Sequence, residues 1–191
     1  MAYHKILLTS VIFFLSITSS LASYPPATNY LISTCNDATY GDLCLQTLLP
    51  DVDRINSTPK KSTRLTIMAT ITAVQSATDG ITQLSKQPQM WSRELDSLND
   101  CGTSIANTVT ALNTAMDTSD HLGGGDKNDK QSKRLSMENN VKTVVTATNT
   151  CITNLQGAKA RDVVISRVQD ATKLLVQLAT NAFDLIDRMQ F

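Results

Sequence analysis

Trp91-Ser-Arg-Glu-Leu-Asp-Ser-Leu-Asn-Asp-Cys101 opens residues 91–155, the stretch that decides the fold of this chain. Intervals of four and three alternate along its first half, at Trp91, Leu95, Leu98, Gly102, Ile105, Val109, Leu112 and Met116. The same alternation returns at Met137, Val141, Val144, Thr148, Cys151 and Leu155. This period keeps each series on one face of a helix. Residues 121–130 between them are polar and contain three consecutive glycines, so they predict a turn between two antiparallel helices.

Cys101 and Cys151 lie at equal distances from Asp126, inside this Gly-rich connection. Antiparallel helices pair residues that are equidistant from their connection, so the spacing predicts that the two sulfurs meet. A disulfide here would close a loop of about 50 residues, worth roughly 4 kcal/mol on the chain-entropy model. The alternative is two unrelated buried thiols.

The N-terminus has the pattern of a secretory signal peptide over residues 1–22. Lys5 precedes an apolar run at residues 6–17, and Ser20-Leu21-Ala22 places small residues before a cleavage site. The run of about 12 residues is short for a membrane span, which needs about 20. Cleavage after Ala22 predicts an exported chain of residues 23–191, expected to be a monomer when free.

The composition and motifs argue against several functional classes. The chain has 17 Lys+Arg and 17 Asp+Glu, so it has no excess of basic residues. Its charge therefore gives no reason to expect a nucleic-acid or membrane partner. Its two histidines are His4, in the predicted signal peptide, and His121, beside the Gly-rich turn. The sequence has no motif for metal binding, for a phosphate-binding loop or for a catalytic triad. Asp96 and Asp100 are four residues apart, as expected for carboxylates on a solvent-exposed helix face. We therefore expect no catalytic residues, no cofactor, no metal and no enzyme activity.

An even number of cysteines in an exported chain predicts two disulfides, which leaves Cys35 to pair with Cys44. On one continuous helix their Cα atoms would be roughly 13 Å apart, beyond the limit of about 7 Å for a disulfide. The chain should therefore bend at residues 39–42, around Gly41, and form a small helical hairpin. Asn56-Ser57-Thr58 follows as an N-glycosylation sequon, which predicts a glycan on Asn56.

Two further helical patterns complete the fold. The first runs through Ile67, Ile71, Val74, Thr78 and Ile81, and the last from Val164 to Met189. Pro88 is placed in the first turn of the second long helix. The fold class expected is all-α: an up-down-up-down four-helix bundle over residues 58–191, preceded by a disulfide-clipped N-terminal helical hairpin and connector over residues 23–57.

Three short motifs resemble the plant invertase/pectin methylesterase inhibitor family. They are Cys35-x8-Cys44 with Tyr40 between them, Leu98-x-Asp100-Cys101, and Thr150-Cys151. The resemblance covers about residues 29–189 and implies the pairings Cys35–Cys44 and Cys101–Cys151. It also implies a secreted protein of the apoplast and cell wall.

By this resemblance, the chain would inhibit pectin methylesterase by capping the substrate cleft in a stoichiometric complex. The invertase inhibitors of the family resemble one another in a Pro-Lys-Phe stretch that is absent here, and Thr150 matches the methylesterase inhibitors. The alternatives are an inhibitor of cell-wall or vacuolar acid invertase, or a non-inhibitory secreted bundle, which departures from the family pattern at Ala38 and Ile105 leave open. The candidates for partner contact on the second and third bundle helices are Asn99, Thr103, Lys142, Thr146 and Asn149.

Overall fold

The computed structural model describes residues 25–189, and the predicted signal peptide lies outside this range. Three short helices come first, α1 (Pro26–Asn36), α2 (Gly41–Leu48) and α3 (Val52–Ile55), with a 3-10 turn at Leu49–Asp51 before α3. Four long helices follow: α4 (Pro59–Ser85), α5 (Ser92–Asp120), α6 (Lys127–Gly157) and α7 (Asp162–Asp187). Residues 25–189 contain no strand, so the predicted all-α class is confirmed.

The four long helices form an up-down-up-down bundle. α4 and α6 each pack against both α5 and α7, which gives the cyclic order α4, α5, α6, α7 around the core. Most residues that the sequence period placed on the inner helix faces are buried in this core. Each helix removes one apolar face from water by packing against its neighbours. The largest fully buried side chains of this core are Ile67, Ile81, Leu98, Ile105, Leu112, Met137, Leu155, Leu175 and Ile186.

The first turn of α5 departs from the sequence interpretation. Trp91 is 45 % exposed and Leu95 is 36 % exposed, whereas Glu94 is completely buried. Pro88 lies in the connection before α5 and not in its first turn. α6 also begins earlier than the polar turn suggested, because the Asp126 carboxylate caps the helix by accepting a hydrogen bond from Asp129 N at 2.9 Å.

The two disulfides pair Cys35 with Cys44 and Cys101 with Cys151, which are the pairs expected from the sequence. Cys101 and Cys151 join the middle of α5 to α6, with their Cα atoms 4.8 Å apart. The connection between α5 and α6 spans residues 121–126, so its centre lies two to three residues before Asp126, the midpoint of the cysteine spacing.

The N-terminal hairpin is held together at the bend between α1 and α2. A Cβ at Gly41 would lie only 2.8 Å from the carbonyl oxygen of Cys35, so the helices can approach this closely only with glycine there. The hairpin then buries Leu31 and Leu48 in a cluster with Leu185 of α7.

Polar contacts fix the hairpin to α7. Asn181 is fully buried, accepts a hydrogen bond from Tyr40 N at 2.9 Å and donates one to Tyr40 O at 2.9 Å. Next to it, Thr39 N donates to Asp184 Oδ2 at 2.7 Å. Asn181 thereby satisfies both backbone groups of a residue in the bend, which anchors the hairpin to the end of the bundle.

Candidate partner-binding surface

An open groove runs along the outside of the bundle between α5 and α6, with a volume of about 470 Å³. Short and neutral side chains dominate its walls, which are formed by Ser104, Asn107, Thr108, Ala111, Asn139, Lys142, Thr143, Thr146, Ala147 and Thr150. A second open groove of about 400 Å³ lies between α4 and α5. The exposed side of α5 is therefore flanked by two shallow, mostly polar grooves, and we call this area the α5 surface.

All five predicted contact residues are exposed, but they do not converge on one point. Asn99 and Thr103 line the groove between α4 and α5. Lys142 and Thr146 line the groove between α5 and α6. Asn149 lies in a third groove, between α6 and α7. Four of the five residues thus border the α5 surface, and Asn149 lies on the opposite side of α6.

Lys142 is the one charged residue that lines the α5–α6 groove. Its ammonium nitrogen lies 4.5 Å from the centre of the Phe183 ring on α7, a distance at which a cation–π attraction operates. This contact draws the charge toward α7. The groove itself is left with hydroxyl, amide and methyl groups, a lining suited to hydrogen bonding and close packing.

The Cys101–Cys151 disulfide makes the α5 surface rigid. It joins α5 to α6 at one end of the α5–α6 groove, next in sequence to Gly102 and Thr150, which line the two grooves. Because the cross-link fixes the spacing of the two helices, a partner that docks here does not have to order the surface first.

A buried carboxylate, paired with a partly exposed arginine, fixes the end of the bundle at which α5 and α7 begin. Glu94 Oε1 accepts hydrogen bonds from Arg161 N at 2.9 Å and from Arg161 Nε at 2.9 Å. Glu94 Oε2 accepts from Arg161 Nη2 at 2.8 Å and from Trp91 N at 3.1 Å. The carboxylate therefore ties the first turn of α5 to the N-terminus of α7, which lies diagonally across the bundle.

The same contacts change the acidity of Glu94. The side-chain hydrogen bonds of Arg161 are the main cause that lowers the pKa of Glu94 from 4.5 to about 2, with help from the two backbone donors. Burial acts in the opposite direction but is outweighed. Glu94 is thus a structural anion in a mildly acidic medium.

Sequence reasoning missed Glu94. Its one local signal is its position three residues after Trp91, where a Glu side chain can reach back to the backbone N–H that precedes a helix. Nothing local indicates Arg161, which lies 67 residues away.

Within residues 25–189, no group of His, Cys, Asp and Glu side chains is arranged to hold a metal ion. His121 is exposed, and its Nδ1 lies 2.7 Å from Asp117 O at the end of α5. No helix in this part of the chain combines the length and the apolar character that crossing a membrane requires.

Comparison with known proteins identifies the family. A family model described as plant invertase/pectin methylesterase inhibitor matches residues 29–185. The chain belongs to this family. Its members are inhibitors and not enzymes, which confirms the expectation that the chain has no enzyme activity of its own.

Individual relatives agree with the family at low identity. The chain is 21 % identical over 166 residues to a "21 kDa protein" of Daucus carota, covering 87 % of this chain and 86 % of that one. It is 25 % identical over 170 residues to "Pectinesterase inhibitor 10" of Arabidopsis thaliana, covering 87 % of this chain and 53 % of the relative. It is 26 % identical over 166 residues to "Pectinesterase 1" of Citrus sinensis, and this match covers 83 % of this chain but 27 % of the relative.

A solved structure supports the fold of this inhibitor-family chain. It is a mutant form of a pectin methylesterase inhibitor from Arabidopsis, with a TM-score of 0.62 and 12 % sequence identity. The match covers 84 % of this chain and 97 % of that chain. At this identity the likeness establishes the helical-bundle fold alone.

Proposed function

We propose that this chain is a secreted inhibitor of pectin methylesterase that covers the enzyme's substrate cleft in a one-to-one complex. The observation that carries the proposal is the α5 surface: a cross-linked, mostly neutral face of a chain whose family consists of enzyme inhibitors. Lacking catalytic groups of its own on this face, such a protein acts by presenting a rigid surface to a cleft.

Pectin methylesterase is favoured over acid invertase as the target by two features of the sequence. The Pro-Lys-Phe stretch by which the invertase inhibitors resemble one another is absent, and Thr150 precedes the last cysteine. Relatives named as a pectinesterase inhibitor and a pectinesterase add support, although this chain spans 53 % and 27 % of their lengths.

Secretion and modification belong to the same proposal. The leader would be removed after Ala22, leaving residues 23–191 as one inhibitor domain in the apoplast. Asn56 lies exposed in a left-handed conformation (φ 46°) between α3 and α4, so a glycan there would project from a corner of the molecule. Asn56 lines neither groove of the α5 surface, so we expect a glycan there to leave docking unobstructed.

The test is a titration of purified, oxidised protein against plant pectin methylesterases and against acid invertase. We expect esterase activity to fall linearly and to end near one equivalent of inhibitor, with invertase unaffected. Loss of invertase activity alone would replace the proposed target by the alternative one. No effect on either enzyme would favour a bundle that has kept the fold without inhibition.

Two variants connect the titration to the α5 surface. Thr103→Arg and Thr146→Arg place long cationic side chains at the edges of the two grooves, and neither threonine side chain makes an intramolecular hydrogen bond within residues 25–189. Each should weaken inhibition by about tenfold or more, because a central clash in an interface is rarely accommodated. The matched control is Ser166→Arg, on the exposed side of α7, which should inhibit like the unmodified protein.

A further inference from the structure

The end of the bundle at which α5 and α7 begin bears an unusual combination of an exposed tryptophan and unneutralised cations. We call it the Trp91 end; it comprises residues 86–96 and 158–167. The Trp91 ring has the guanidinium carbon of Arg93 4.6 Å from its centre and that of Arg161 5.1 Å from its centre. Even so, 45 % of Trp91 remains exposed. An exposed tryptophan ring with guanidiniums close to it is the type of group that dominates binding sites.

The charge of this end is positive, although the whole chain has a formal net charge of zero. It carries five cations, Lys86, Arg93, Lys159, Arg161 and Arg167, against three carboxylates, Glu94, Asp96 and Asp162. Glu94 is buried and already committed to Arg161. Within residues 25–189, Lys86, Arg93, Lys159 and Arg167 have no carboxylate within ion-pair distance.

The opposite end of the bundle is arranged differently. There Arg64 pairs with Asp120 at 2.5 Å, Lys133 with Asp129 at 2.7 Å, and Arg134 with Asp187 at 3.0 Å. Three cations at that end are thus paired with carboxylates of the protein, whereas Lys61, Lys127 and Lys130 there have no carboxylate within ion-pair distance in residues 25–189. What favours the Trp91 end for an anionic partner is its excess of cations, five against three carboxylates, beside an exposed tryptophan ring.

We propose that the Trp91 end is a second binding site, separate from the α5 surface, and that it binds a polyuronate, the de-esterified form of pectin. A sugar ring can pack against the exposed part of the Trp91 ring while its carboxylate meets the guanidinium of Arg93 beside that ring. Hydrolysis of each methyl ester in pectin leaves one carboxylate, so the polymer gains the charge that this end complements. The proposal takes the cell-wall setting from the proposed function and does not depend on inhibition.

The experiment measures binding of the purified, oxidised protein to immobilised polygalacturonate by biolayer interferometry, in about 0.1 M salt, where screening extends over about 10 Å. The variant Lys86→Gln/Arg93→Gln/Lys159→Gln should bind about tenfold more weakly, since each exposed charge contact contributes modestly. Trp91→Ala should weaken binding about threefold and keeps the backbone N–H that Glu94 accepts from. Highly methyl-esterified pectin should bind at least about tenfold more weakly than polygalacturonate, since it lacks the carboxylates.

The matched control removes three charges from the opposite end, with Lys61→Gln/Lys127→Gln/Lys130→Gln. These lysines also have no carboxylate within ion-pair distance in residues 25–189, so the two triple variants differ mainly in position. We expect less than about a twofold change in this control. Equal losses in both triple variants, or equal binding of esterified and de-esterified polymer, would overturn the proposal.

A measurement of folding and of inhibition separates this proposal from the previous one. All variants should keep the helical circular-dichroism spectrum, because the substituted side chains are at the surface. The Trp91-end variant should still inhibit pectin methylesterase as the unmodified protein does. If no target enzyme is inhibited, binding to polygalacturonate remains a separate result, and failure to bind it leaves the esterase titration unaffected.

Discussion

Glu94→Gln is the substitution that most directly tests how the bundle end is held. The glutamine side chain has the same shape and keeps one oxygen, which can still accept from Arg161 N and Arg161 Nε. Its amide nitrogen would then face Trp91 N and Arg161 Nη2, so that two donor–acceptor pairs become donor–donor contacts. The substitution therefore removes the charge and two hydrogen bonds without leaving a cavity.

The expected cost follows from the burial of the carboxylate. Breaking a buried ion pair from one side costs about 3–5 kcal/mol when both partners are buried. Glu94 is 0 % exposed, but the Arg161 side chain is 36 % exposed and can recover water contacts when its partner is lost. We therefore expect a loss of about 2–3 kcal/mol in the free energy of unfolding. This value lies between the cost of leaving one buried donor unsatisfied and the cost of leaving a fully buried charge without its partner. For a chain of this size, the melting temperature should fall by about 5–10 °C.

This loss should depend on pH in a defined direction. The pKa of Glu94 is lowered from 4.5 to about 2 in the folded protein, so its ionised form stabilises the fold fully above pH 4.5. The contribution disappears as the pH falls toward about 2, because the folded protein then binds the same proton as the unfolded chain. The stability difference between the unmodified protein and Glu94→Gln should be constant above about pH 5 and should shrink below it.

The assay is guanidinium chloride unfolding followed by circular dichroism, at pH 6 and at several lower values. Asp51→Asn serves as the control, because it breaks the exposed pair of Asp51 and Arg54 at 2.8 Å, for which we expect less than about 1 kcal/mol. A loss for Glu94→Gln no larger than that of the control, or a difference independent of pH down to about 2, would refute the reasoning about this buried carboxylate.

Three further outcomes are expected from other parts of the molecule. Replacing Cys101 and Cys151 together by Ala should cost about 4 kcal/mol of stability, and replacing the shorter-range pair at 35 and 44 only about 2.5 kcal/mol, as measured by chemical unfolding; equal losses would contradict the chain-entropy argument. Asn181→Leu should raise hydrogen exchange throughout residues 26–56 while the middle of the bundle stays protected, and uniform exchange would show that the hairpin is not anchored there. Protein secreted from plant cells should increase in mobility on enzymatic removal of N-glycans, and Asn56→Gln should abolish that shift.

Much of the architecture was predictable because its signals are local. The alternation of four and three residues through Leu98, Ile105 and Leu112 is a property of one helix and survives whatever packs against it. The turn was also predictable, since three glycines interrupt the period and Cys101 and Cys151 lie at equal distances from Asp126, the last residue of the turn. Together these features set the order, the direction and the register of α5 and α6.

The candidate site was less predictable, because exposure alone does not bring residues together. Asn99, Thr103 and Asn149 were chosen as outward-facing polar residues, and all are exposed. They lie in two different grooves because of the order in which the helices pack around the core. The helical period of a sequence contains no information about that order. The neutral character of the α5–α6 groove likewise depends on Phe183, a residue of another helix that draws the charge of Lys142 away.

The sequence by itself determined that this chain forms long amphipathic helices, where they turn and which cysteines can meet, since periodicity and symmetry about a turn are read along one chain. Only the tertiary structure decided that Glu94 is buried in place of Trp91 and Leu95, and that Asn181 anchors the hairpin. The partners of these side chains are 67 and 141 residues away, so no local pattern contains them. Burying a polar group is favourable only once such a distant partner arrives to satisfy it, and that condition is met by the packed fold alone.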